Sequence, residues 1–288
     1  VAPPKEEAGL YPARIQGKYG YIDKNGKIVI PATFGKAHIF SEGLGLVLDL
    51  KTGGWGFIDK TGKYVIKPEY GQASPFSDGM AIVTIGAKIG AIDHAGKVFV
   101  KPEYESITDF SGGLAAAVVK RLSGGYEVMD SGYINKLGKF VIPLQFDGVG
   151  QFSEDLAAVR RFGQRWSYID TNGKTVLPAK YESAGRFSSG LAAVEVSSKG
   201  GYLWGFIDKT GKIVVEPKYM KARIFSEGLA GVQTKSGKWG YIDVQGKLVI
   251  PDNFDNVEQF TEGLAQVMVN KKMAYIDKQG KYIWGPKE

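Results

Sequence analysis

Apolar and polar positions alternate in short runs along the chain, and the runs return in a fixed order. The fullest copy reads Trp55-Gly56-Phe57-Ile58-Asp59, then Lys60-Thr61-Gly62-Lys63, then Tyr64-Val65-Ile66. Alternation of period two, bounded by Asp and Gly, predicts a β-hairpin. Its turn is Asp-x-x-Gly: the Asp side chain caps a type I turn, and Gly supplies the left-handed residue of a bulge. The Asp column runs Asp23, Asp59, Asp93, Asn135, Asp170, Asp208, Asp243 and Asp277, with Ile before each and Gly-Lys after each. A Pro follows in every copy, from Pro31 and Pro68 to Pro251 and Pro286, and is expected to end the outgoing strand because it donates nothing to a ladder.

A second block keeps step with the first. Seven residues past each of the first seven Gly-Lys lysines stands an aromatic residue, such as Phe34, Tyr70 or Tyr181, and six residues later a Phe, such as Phe40, Phe76 or Phe187. That Phe opens a turn of the type Phe225-Ser226-Glu227-Gly228, which leads into a strand such as Leu264-Ala265-Gln266-Val267-Met268. Each unit therefore reads as a meander of three clear strands, with room for a short fourth between the aromatic residue and the Phe.

The Trp-Gly-(Phe/Tyr)-Ile-Asp-x-x-Gly-Lys string, with Phe-Ser-Glu-Gly-Leu-Ala behind it, resembles the bacterial WG-repeat (KWG-repeat) family over roughly residues 10–285. The resemblance implies a β-rich repeat module used for interaction, without catalysis and without a common ligand. Only Trp55, Trp166, Trp204 and Trp239 fill the Trp column; Tyr19, Ile89, Ser131 and Met273 replace it elsewhere, which marks the column as packing.

Composition narrows the chemistry. The 288 residues contain no Cys and two His, His38 and His94, which excludes disulfides and thiolate metal sites and leaves little material for a zinc site or a catalytic triad. No cofactor or metal is expected, and no enzyme. No apolar run approaches the ~18 residues of a membrane helix, so no membrane insertion is expected. The start Val1-Ala2-Pro3-Pro4, without Met, reads as a Pro-containing leader over residues 1–9, before a single eight-unit domain over 10–288. With the absence of Cys it leads us to expect an extracytoplasmic protein, periplasmic, cell-surface or secreted.

Length variation marks the candidate surface. From each Asp to the following Phe the separation is 17 residues in all seven cases, Asp23 to Phe40 being the first. From each Phe to the next Asp it varies between 17 and 25. The variation lies in the hairpin that joins the Gly-Leu-Ala strand to the Trp-Gly strand, and in a meander all such hairpins emerge at one end. These hairpins hold Lys51, Lys88, Lys120, Arg121, Arg160, Arg161, Arg165, Lys199, Lys235, Lys238, Lys271 and Lys272 against Asp49, Glu127 and Asp130, a net +9 where the whole chain carries +7. Arg160-Arg161-Phe162-Gly163-Gln164-Arg165 adds an aromatic side chain to three guanidinium groups, a mixture suited to phosphate, sulfate or uronate.

The sequence thus predicts an all-β fold of eight antiparallel repeats of ~35 residues, a propeller-like ring before an open superhelical solenoid. It predicts a binding or scaffold protein whose basic rim holds an anionic polymer such as a polysaccharide, or an acidic protein. The alternative is a structural subunit of an extracellular or cell-surface assembly, with self-assembly through the same loops. Nucleic acid fits less well, because the aromatic columns are committed to packing. The recurring acids Glu42, Asp78, Glu154, Glu227 and Glu262 read as turn residues rather than catalytic groups.

Overall fold

A computed structural model describes residues 9–23, 27–198 and 201–284. Each repeat folds as one antiparallel blade, and eight blades follow one another with no helix among the described residues. The fold is the propeller-like one of the two expected. Blade 2 shows the full pattern: Lys36–Ala37, Gly45–Leu48, Trp55–Ile58 and Tyr64–Tyr70 pair in chain order. The two-residue first strand is the short fourth strand for which the sequence leaves room. Among the described residues blades 1 and 3 have three strands each, although in blade 3 an isolated Ala73–Val83 bridge stands where the fourth strand would be. The chain divides into two compact units, Val1–Gln145 and Phe146–Glu288, and the division falls at the end of blade 4.

The expected turn is present in detail. In blade 2 the Gly62 N–H donates to the Asp59 carbonyl at 3.0 Å. One Asp59 carboxylate oxygen accepts from the backbone N–H groups of Thr61, at 2.8 Å, and Lys63, at 3.1 Å, while Gly62 sits at φ +86°. Asn135 makes the same two bonds through its amide oxygen, which is why Asn is tolerated in the Asp column.

The prolines do not end the outer strands, contrary to expectation. Tyr64–Tyr70 runs through Pro68 and Ile28–Phe34 runs through Pro31. The strand is outermost in its blade, so the missing N–H deprives no neighbour, and a bulge absorbs the ring. Phe57 faces Ile66 and Trp55 faces Tyr70, so two steps on the third strand match four on the outer one. The bulged backbone lies over Gly56, where a Cβ would stand 2.8 Å from the Pro68 nitrogen and the Ile66 carbonyl oxygen. This explains the Gly that follows the Trp.

The core lies between blades, because both faces of the third strand are apolar. In blade 2, Phe57 packs with Phe76 and Val83 of blade 3, whereas Ile58 turns to the other side and packs with Tyr21 and Ile30 of blade 1. Within each unit the residue after the Trp-Gly pair thus meets the Phe of the next turn, as Tyr21, Phe57, Tyr168, Phe206 and Tyr241 do. Ring centroids are 4.8 Å apart for Phe57 and Phe76, 5.0 Å for Tyr168 and Phe187, and 4.9 Å for Tyr241 and Phe260. Each such fully buried ring contributes about 1.5–3 kcal/mol.

In three blades where this residue is Tyr, its hydroxyl finds a backbone acceptor: Tyr21 donates to the His38 carbonyl, Tyr168 to Gly185 and Tyr241 to Glu258, at 2.7–2.8 Å. Burial holds all three phenols well above their ordinary pKa, so they serve as neutral donors.

Candidate functional site

A meander has two ends, and they are built for different work. At one end lie the Asp-x-x-Gly turns and the Phe-Ser-Glu-Gly turns, which clasp successive blades. Ser41 Oγ donates to the Phe76 carbonyl at 2.6 Å, Ser188 to Phe225 and Ser226 to Phe260 at 2.7 Å. The five recurring acids all stand in left-handed backbone at φ +51° to +54°, and four of them accept from the glycine N–H of the following blade. Glu42 accepts from Gly79, Asp78 from Gly113, Glu154 from Gly190 and Glu227 from Gly263. Each also meets the side chain that follows the Asp of that next blade: His94 at 3.1 Å, Lys136 at 2.8 Å, Lys209 at 3.1 Å and Lys278 at 2.8 Å. The Lys278 ammonium, then the Gly263 N–H, hold the Glu227 carboxyl below its usual range. These acids are structural turn residues, as expected, but their cationic partners escaped the sequence reading.

The variable hairpins occupy the opposite end, together with the short connection from each outer strand to the next blade. That connection supplies carboxylates which a count of hairpin charges leaves out. Glu105 pairs with Lys88, Asp147 with Arg160 at 3.3 Å, Glu182 with Arg165 at 2.7 Å and Asp255 with Lys238 at 2.5 Å. The Lys238 ammonium and the Lys271 backbone N–H hold the Asp255 carboxyl below its usual range. The excess of +9 is therefore partly balanced on the rim itself.

In blade 4 the neutralisation is internal. The hairpin strands Leu114–Ser123 and Tyr126–Asn135 form the longest ribbon of the chain. Lys120 pairs with Glu127 at 2.6 Å and Arg121 with Asp130 across that ribbon. The Glu127 carboxylate raises the pKa of Lys120. A groove of about 340 Å³ at its base brings Lys88, Lys120 and Arg121 together with Glu103, Glu105 and Glu127.

Other cations stack on rings. The Arg160 guanidinium lies 5.5 Å from the Trp166 ring centroid and Arg161 lies 5.0 Å from that of Phe146. Lys235, Lys271 and Lys272 are exposed on the hairpins of blades 7 and 8, and Lys199 lies outside the described residues. Lys88, Lys120, Arg121, Arg160, Arg161, Arg165 and Lys238 are thus each held by their own blade or the adjoining connection.

What stands out from the hairpins is apolar. Phe162 is 91 % exposed, Tyr126 79 %, Leu122 74 % and Tyr202 59 %. In the sequence Phe162 is an adjunct to three arginines; in the structure its ring stands in solvent while Arg160 and Arg165 turn to carboxylates. No group of three or more His, Asp or Glu suited to a metal ion occurs among the described residues.

No curated protein matches the chain. Solved structures match its fold. A eukaryotic initiation factor superposes with TM-score 0.61 at 10 % identity, over 96 % of this chain and 84 % of that one. Apo AztD from Citrobacter koseri superposes with TM-score 0.53 at 12 % identity, over 96 % of this chain and 94 % of that one. At such identities the likeness is one of fold alone. The model of the WG containing repeat matches residues 19–48, 55–88, 89–121, 132–161, 166–199, 204–239 and 239–272. Each of these seven matches runs from the third strand of one blade into the next blade, together they cover most of the sequence, and the chain belongs to the WG containing repeat family.

Proposed function

We propose that this is a non-enzymatic binding module that docks a protein partner at its variable-hairpin end. The observation that carries the reading is Phe162, a Phe ring 91 % exposed on a hairpin tip beside cations already paired with carboxylates. A large apolar side chain exposed in this way gains nothing in the free protein and becomes an anchor once a partner covers it. Tyr202, 59 % exposed on the hairpin of blade 6, adds a second ring within the same unit. Arginines beside aromatic rings are the side chains that dominate protein–protein interfaces, and the residual positive charge favours an acidic rim on the partner.

The anionic-polymer reading is the second one, supported by the exposed Lys235, Lys271 and Lys272. A panel of anionic polysaccharides and nucleic acids at low and high salt separates the two. The docking reading expects weak, salt-abolished retention that is unchanged by Phe162→Ser. Tight retention lost in the triple variant Arg160→Ser, Arg161→Ser, Arg165→Ser would overturn it in favour of a polymer.

A further inference from the structure

The ribbon of blade 4 outruns its own blade. Its strands pair without a bulge from Leu114 and Asn135 to Ser123 and Tyr126. The short first strand, Ser106–Ile107, accompanies them only as far as Val118, whose carbonyl accepts from the Glu105 N–H at 3.0 Å. Backbone groups alternate sides along a strand, and those of Ala116 and Val118 face this short strand, the Thr108 N–H donating to the Ala116 carbonyl at 2.9 Å. The N–H and C=O groups of Lys120 and Leu122 therefore point the same way, beyond the place where the short strand stops. No strand among the described residues pairs with them there.

An open edge is a template for another strand, and proteins blunt it with Pro, a bulge or a projecting charge. The outer strands of the blades carry Pro and a bulge, as Tyr64–Tyr70 does. The ribbon edge has neither, and its cations Lys120 and Arg121 are drawn across the ribbon to Glu127 and Asp130. Leu122 and Met129 stand exposed on one face of it. The groove of about 340 Å³ lies beside this edge. Lys88 is paired there with Glu105, which leaves the exposed Glu103 carboxylate without an ion-pair partner among the described residues.

We propose that the Lys120–Leu122 edge takes up an extended segment of a partner protein as an added antiparallel strand, with an apolar side chain beside Leu122 and a Lys or Arg at its C-terminal end facing Glu103. The direction follows from Ser106–Ile107, whose line the segment continues antiparallel to Leu114–Ser123. Main-chain bonds give attachment and alternate side chains give selection. A second copy of the ribbon fits less well, because pairing two such edges would bring the Arg121 side chains of both copies together. The inference rests on the variable-hairpin end being a docking end, but the site uses neither Phe162 nor Tyr202, so either reading can fail alone.

The probe is a blocked peptide of about six residues, the ordinary length of a strand, alternating Thr and Val and ending in Arg. It is titrated into the full chain, and amide exchange is followed at single residues. Saturating peptide is expected to slow exchange of the Lys120 and Leu122 amides about tenfold, the effect of roughly one hydrogen bond each. The amides of Val119 and Arg121, which face the partner strand within the ribbon, should change far less. Glutamate in place of the peptide's Arg is expected to weaken binding about threefold. Leu122→Pro removes one outward N–H and is expected to abolish protection of Lys120 while the Gly113 amide, held by Asp78, keeps its rate. The peptide with its backbone N-methylated throughout gives an independent control on the wild-type protein and should protect nothing. The proposal is overturned if the peptide leaves the Lys120 and Leu122 amides at their free rates, or if the N-methylated peptide protects them equally.

Discussion

Glu227 offers the sharpest test of how successive blades are joined. Its carboxylate accepts from the Gly263 N–H at 3.1 Å and from the Lys278 ammonium at 2.8 Å, so Glu227→Ala removes a charge-assisted backbone bond and an ion pair at one stroke. The first is worth about 1.5 kcal/mol. The second joins side chains that are 28 % and 39 % exposed, which limits it to about 0.5 kcal/mol. Together they predict about 2 kcal/mol, or a roughly thirtyfold faster exchange of the Gly263 amide hydrogen.

Amide exchange resolved at single residues is the assay, because it isolates the interface between blades 7 and 8. The Gly190 amide, held in the same way by Glu154, should not change and serves as the internal control. High salt should remove only the Lys278 share. The pH dependence has a definite sign. The carboxyl titrates lower in the folded protein than in the unfolded chain, so its contribution is complete above its ordinary pKa of 4.5 and is lost as pH falls through the lower folded value. Unchanged exchange at Gly263, or an equal acceleration at Gly190, would refute the reasoning.

Three further outcomes follow from the packing. Tyr104→Phe should destabilise the fold by about 1 kcal/mol in urea denaturation, whereas Tyr181→Phe, which removes an unpartnered hydroxyl, should cost nothing or stabilise it. Gly205→Ala should cost about 1–3 kcal/mol by the same measure, since its Cβ would stand 2.5 Å from the Val215 carbonyl oxygen. Partial desolvation, then the nearby Lys36 charge, lowers the pKa of His38 beneath 6.5, so the unfolded chain takes up the proton first. Stability should therefore be complete above about pH 6.5 and fall as pH drops toward the folded value, and His38→Gln should remove that part of the slope.

The repeat, its turn and its strands were legible because a strand that packs on both faces must be apolar at consecutive positions and must stop at a residue with left-handed backbone. The run Phe57-Ile58-Asp59, followed by Gly62, displays all of this locally. Pro68 misled because its chemistry says only that no donor is available; whether that matters depends on the strand having a neighbour on that side. The clasp was hidden for a different reason. Glu42 with His94 and Asp78 with Lys136 are separated by a variable hairpin, so no fixed offset relates acid to cation. Counting by repeat position would have found it: the turns that carry Gly112 and Ser189 instead of an acid are followed, one repeat later, by Thr171 and Val244 instead of a cation.

The charge of the rim was overstated for a similar topological reason. Glu105, Asp147, Glu182 and Asp255 belong to no hairpin, yet their connection reaches the same end of the meander and meets Lys88, Arg160, Arg165 and Lys238. Exposure of Phe162 depends on where those arginines turn, and a sequence does not state that. The unpartnered Tyr181 hydroxyl is a departure from the geometry of Tyr104, in a residue type that the repeat uses freely.

The most direct test of the docking reading is site-specific photocrosslinking from the hairpin tip. A photoreactive phenylalanine analogue is placed at Phe162 and, in a parallel protein, at Lys60 in the turn at the opposite end, and both are irradiated in the cells that make them. The account predicts a discrete protein adduct from position 162, absent from position 60 and lost when Tyr202→Asp is introduced in the hairpin of blade 6. Equal adducts from both ends, or none from position 162, would contradict docking at the variable hairpins.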